Sequence, residues 1–123
     1  MTPLCLILSD DLLDASRVIG EGKAAGVLVV QCRDSASLLK ELGRKPSLVV
    51  LDLHNPGLEV SAVVPAIRTA GAKIVGFGSH VDATRLKGAR QMGCDEVLPR
   101  SAFFDELGAK LAVWVGDRSS ADD

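Results

Sequence analysis

Three aspartates stand out by type and by position. Asp10 and Asp11 follow the apolar run Leu4 to Leu8, and Asp52 closes a second run, Leu48-Val49-Val50-Leu51. Carboxylates brought into one cleft repel one another, and a cation or a proton must relieve the repulsion. A hard divalent ion such as Mg²⁺ would do so, taking one or two carboxylates, a carbonyl and waters. The plainer alternative is that the acids only cap the helices that follow them. Both readings stay open at this stage.

For these acids to meet, the strands that carry them must be neighbours. The chain has 123 residues, 47% apolar and 24% charged, enough for one domain with a real core. Five short apolar runs recur: Leu4 to Leu8, Val27 to Val30, Leu48 to Leu51, Lys73 to Phe77, and the weak Glu96 to Leu98. They are continuous instead of alternating, as expected of strands covered on both faces of a parallel sheet.

The segments between them carry helix signals. Asp34 or Ser35, Asp82 and Ser101 are candidate N-caps, and Gly43 and Gly93 are candidate stops. Asp105 and Glu106 are expected in the first turn of the last helix, whose Leu107, Leu111 and Trp114 would face the sheet. Gly20 and Gly22 weaken the first helix, around Leu13 to Ala25, and Pro65 should fall within about a turn of the third helix's start. The pattern predicts an α/β fold: a (βα)5, doubly wound, five-stranded parallel sheet in the flavodoxin-like order 2-1-3-4-5. Residues 1–116 form the domain and 117–123 a polar, frayed tail.

Composition excludes several classes. Fourteen Lys and Arg against sixteen Asp and Glu leave a net charge of -2, which disfavours a phosphate-backbone binder. The only aromatics are Phe77, Phe103, Phe104 and Trp114, too few for base stacking, so no direct nucleic-acid contact is expected. No apolar run approaches the roughly 20 residues of a membrane span, and the N-terminus has no basic start or cleavage site. Cys5, Cys32 and Cys94 are widely spaced and read as buried free thiols of a cytoplasmic protein. No P-loop or nucleophile-elbow motif occurs, Gly76-Phe77-Gly78 lacks the third glycine of a dinucleotide fingerprint, and His80 reads as a loop residue.

Taken in order, the motifs resemble the response-regulator receiver family over about residues 4 to 115. An acidic pair closes the first strand and an aspartate the third, followed by Leu53-His54-Asn55-Pro56-Gly57; Gly93-Cys94-Asp95-Glu96-Val97-Leu98 leads into the fifth strand. The resemblance implies that Asp52 accepts a phosphoryl group from a phosphohistidine. It also implies that Asp10, Asp11, Asp52 and the backbone carbonyl of His54 hold Mg²⁺, directly or through water. Counting fifteen residues back from Gly93, the family's strand-four Thr/Ser falls on Gly78, with Ser79 adjacent. Counting seven forward, the strand-five lysine falls on Arg100, with Ser101 in place of the usual proline and Val97 at the aromatic switch position.

The expected function is therefore a stand-alone receiver-like signalling domain of a two-component phosphorelay, not an enzyme in the usual sense. A sensor histidine kinase or phosphotransfer protein would supply the phosphoryl group, and a downstream protein would read the result. Residues 82 to 115, with Arg85, Lys87, Arg90 and Lys110, would form the contact face or a homodimer. The departures keep a second reading alive, a phosphorylation-independent pseudo-receiver that works as a protein-interaction module. A third class starts from the D-x-H-x-x-G pattern Asp52-Leu53-His54-Asn55-Pro56-Gly57, which is similar to cobalamin-binding domains that place a His under cobalt. That motif belongs after the first strand with later Gly-Gly elements, and here it follows the third strand with none.

Overall fold

A computed structural model describes residues 2–116 of the chain, so the polar tail 117–123 lies outside the described residues. Strands β1 (Leu4–Leu8), β2 (Leu28–Cys32), β3 (Leu48–Asp52), β4 (Lys73–Gly78) and β5 (Glu96–Pro99) pair in parallel in the order β2-β1-β3-β4-β5. Five helices connect and cover them: α1 (Leu12–Ala25), α2 (Ser35–Glu41), α3 (Val60–Thr69), α4 (Ala83–Gln91) and α5 (Arg100–Gly116). The predicted fold class and strand order are those observed.

Because strand side chains alternate, every strand supplies two cores. On one face Leu6, Leu8, Val49, Leu51 and Ile74 pack with Leu38, Val63, Ile67 and Leu86 of α2, α3 and α4. On the other, Ile7, Leu48, Val50, Val75 and Phe77 pack with Val18 of α1 and Phe103, Leu107, Leu111 and Trp114 of α5. The two-sided burial explains the unbroken apolar runs. By the same alternation Asp52 falls in phase with Leu48 and Val50, on the side covered by α1 and α5.

Glycine settles one close approach. A Cβ on Gly22 would lie 2.5 Å from Val29 Cγ2 and 2.8 Å from the Val27 carbonyl oxygen, so α1 sits tight on β2 only without one. Gly26 then ends α1 with φ 73°.

Two local expectations are corrected. Pro65 lies in the second turn of α3, because that helix begins at Val60 after an extended Glu59. Ser101 is not a cap: β5 runs through Pro99 straight into a helix that begins at Arg100. Asp105 and Glu106 consequently fall beyond the first turn of α5. The early start matters, because it sets where the Arg100 side chain leaves the backbone.

Candidate functional site

Strand order reverses at β1: the chain crosses one way to β2 and the other way to β3, opening a crevice above the carboxyl ends of β1 and β3. A cavity of about 340 Å³ occupies that crevice. Asp10, Asp11, Asp52, His54, Gly78 and Ser79 line it, together with Arg100, so all the predicted site residues border one space.

Asp52 sits at its base, only 8% exposed. Its Oδ2 accepts the Ser9 hydroxyl at 2.9 Å, and its Oδ1 accepts the His54 backbone N–H at 3.0 Å. Ser9 also accepts the Asp11 N–H at 3.2 Å. The group from the end of β1 that touches Asp52 is thus a serine, not an acid. Asp10 and Asp11 stand farther out and are exposed.

Asp11 caps α1, its Oδ1 accepting the N–H groups of Leu13 and Asp14 at 2.9 and 3.0 Å. The capping alternative is therefore realised for Asp11. Asp10 is held by its backbone, which donates to Asn55 Oδ1 at 2.7 Å, while Asn55 Nδ2 donates to the Arg33 carbonyl at 3.0 Å. Buried Asn55 thereby ties three loops of the crevice together, a role that its place in Asn55-Pro56-Gly57 did not disclose.

The three carboxylates share a cavity without forming a cage. Among the described residues, no group of three or more carboxylates, imidazoles or thiolates is gathered closely enough to hold a metal ion. The donors are nevertheless hard oxygens at the mouth of a polar crevice. They fit an ion such as Mg²⁺, which keeps several waters and needs only one or two carboxylates. They do not fit a dehydrated three-carboxylate site.

Arg100 is the main departure from expectation. Its guanidinium does not reach Asp52 but forms a two-pronged ion pair with Asp14 of α1, Nη1 to Oδ2 at 2.6 Å and Nη2 to Oδ1. Asp14 is buried, and the fork matches its carboxylate. That hydrogen bonding raises the guanidinium pKa; desolvation opposes it, and the fields of Asp14, Asp52 and Asp11 add to the rise. Arg100 also lies 5.1 Å from the Phe104 ring centroid, and Arg17 lies 4.0 Å from the same ring. Asp14 was invisible as a site residue because it reads as an ordinary acid in the first turn of a helix.

Gly78 has no side chain to offer, and Ser79 beside it lines the cavity. The Ser79 hydroxyl accepts the Val81 N–H at 3.3 Å within its own loop. The backbone N–H of Ser79 donates to His54 Nε2 at 2.9 Å, which places the imidazole against β4. A Cβ on Gly78 would lie 3.2 Å from that same Nε2 and 3.1 Å from Leu86 Cδ2. The side chain of His54 fills the hollow that Gly78 leaves.

On the proposed contact face, two of the four cations are engaged internally. Arg85 donates to the Leu53 carbonyl at 3.0 Å and pairs with Asp82 at 2.9 Å, and Arg90 donates to the Val97 carbonyl at 2.9 Å. Lys87 and Lys110 are exposed.

No protein-family model and no curated protein matches the chain. Solved structures do. A response regulator signal receiver domain from Bermanella marisrubri matches with a TM-score of 0.79 at 22% identity, over 94% of this chain and 99% of that one. The BeF3-activated DrrB receiver domain gives 0.80 at 14% identity, over 95% and 100%. The chain has the receiver fold. A receiver domain of a sensor histidine kinase from Pseudomonas aeruginosa, with a magnesium ion coordinated in its active site cleft, gives 0.78 at 16% identity over 95% and 100%. Among the described residues, no helix of this receiver fold is long and apolar enough to cross a membrane.

Proposed function

We propose that the chain is a cytoplasmic signalling domain of a two-component phosphorelay that accepts a phosphoryl group on Asp52. The observation that carries the reading is the position of Asp52: a shielded carboxylate at the base of an acidic, open crevice, at the strand-order reversal of a receiver fold. A carboxylate oxygen of Asp52 would form the new P–O bond as the P–N bond of a phosphohistidine breaks, and the imidazole of the donor would leave with the electron pair. Asp10, Asp11 and Asp52, with the carbonyl of His54, would hold Mg²⁺, in part through water. The ion's charge would screen the anionic nucleophile from the anionic phosphoryl group.

The chain's own residues orient the nucleophile. Ser9 and the His54 N–H each take one oxygen of Asp52, which fixes the plane of the carboxylate. The phosphoryl donor would be a sensor histidine kinase or a phosphotransfer protein, and the output a protein contact or homodimer through residues 82–115. The domain would modify only itself.

A second reading, a phosphorylation-independent interaction module, is favoured by one observation: Arg100 is engaged by Asp14 and not by Asp52. One experiment separates the two. With Mg²⁺ and beryllofluoride or acetyl phosphate, the amide resonances of Asp52, His54 and Ser79 should move at saturation, and Asp52→Asn should abolish the change. Unmoved resonances in the wild type would leave the interaction module as the function.

A further inference from the structure

Several donors of the cavity are already engaged from within. The Ser9 hydroxyl and the His54 N–H are taken by Asp52, Arg100 by Asp14, and the Ser79 N–H by the imidazole of His54. An incoming phosphoryl group brings three acceptor oxygens and needs donors, so it competes with each internal acceptor that already holds one. The three acceptors are not equally easy to displace. Asp14 is buried, and withdrawing Arg100 would strand its charge. Asp52 is the nucleophile itself. The His54 side chain is exposed, neutral when it accepts through Nε2, and held at that atom by one hydrogen bond.

We infer that the His54 imidazole is a resident competitor for the phosphoryl group, holding the Ser79 N–H and the hollow over Gly78 until the anion displaces it. Nε2 accepts from a main-chain donor that borders the same cavity as Asp52, so one donor serves either the imidazole or a phosphoryl oxygen. Gly78 is what admits the ring, since a Cβ there would press on Nε2 at 3.2 Å. The pairing of a glycine at 78 with a histidine at 54 is thus one device. His54 sets how readily the site takes its ligand, a positioning role exercised through Ser79.

This rests on the reading of Asp52 as phosphoryl acceptor. The experiment is a titration of the intact chain with beryllofluoride at fixed Mg²⁺, followed by amide shifts, on the wild type, His54→Ala, Gly78→Ala and the double variant. Removing one neutral hydrogen bond from the competition should tighten binding roughly three- to tenfold in His54→Ala. Gly78→Ala should shift affinity in the same direction, because its Cβ pushes the ring outward with residue 54 intact. The double variant should bind no more tightly than His54→Ala alone, since both changes act through one ring. Before any ligand is added, His54→Ala should also move the Ser79 amide resonance.

Equal or weaker binding by His54→Ala, while the wild type still takes up the analogue, would overturn this inference and spare the phosphoryl-acceptor reading. An unmoved Ser79 amide would overturn the contact itself. Failure of all four proteins to bind would overturn both.

Discussion

Arg100 and Asp14 form the most consequential pair in the crevice. A buried carboxylate is tolerable only with a partner, and here the partner reaches in from the start of α5. Arg100→Ala should therefore destabilise the fold by about 1–3 kcal/mol, less than for a fully buried pair because the guanidinium side is half exposed to water. Arg100→Lys should fall between, retaining the charge but losing the fork. Thermal or urea denaturation of the two variants checks this, and an unchanged midpoint in Arg100→Ala would mean that water replaces the arginine. Asp11 shows how a residue can serve two ends. Its Oδ1 is committed to the N-cap of α1, and the same side chain borders the crevice.

At the scale of elements, α1 is the piece whose fit decides the site, since it carries both Asp14 and the Asp11 cap. It contains two glycines with opposite demands. Gly20 has no atom within 4 Å of a would-be Cβ, whereas Gly22 would meet Val29 and the Val27 carbonyl. Gly20→Ala should stabilise by up to about 1 kcal/mol through helix propensity alone. Gly22→Ala should destabilise by about 1–3 kcal/mol, because the Val27 backbone, just before β2, cannot yield as a side-chain tip can. Denaturant midpoints of the two variants should move in opposite directions. The helices that flank the crevice on the other side are capped where expected: Asp34 accepts from Ser37 in α2, and Asp82 from Arg85 in α4.

For the whole molecule, two-sided coverage of one sheet determines what is reactive and what is not. Cys5, Cys32 and Cys94 are all free and buried. Burial pushes the thiols of Cys32 and Cys94 up to about 11, with smaller contributions from nearby carboxylates, and pushes Cys5 higher still. Near neutral pH all three are protonated thiols, and only the thiolate reacts. Labelling with a thiol reagent under native conditions should be slow at all three and should accelerate together in denaturant. Fast native labelling of one cysteine would reveal local opening around it.

Much of this architecture was legible in the chain itself. Continuous apolar runs announced strands buried on both faces, and Asp34, Asp82 and Gly93 punctuated helices, because these are local demands that a residue and its near neighbours satisfy; the stop expected at Gly43 is not one, since α2 ends at Glu41 and a 3-10 turn carries the chain through Gly43 to a left-handed Lys45. The end of β3 at Asp52 was legible for the same reason. Pairings across the fold were not. That Arg100 meets Asp14 eighty-six positions away, that Ser9 and not an acid touches Asp52, and that His54 fills the space over Gly78 all depend on how helices seat on the sheet. Local pattern determines which elements form and which way they face; only packing determines which side chains, distant along the chain, are left within reach of one another.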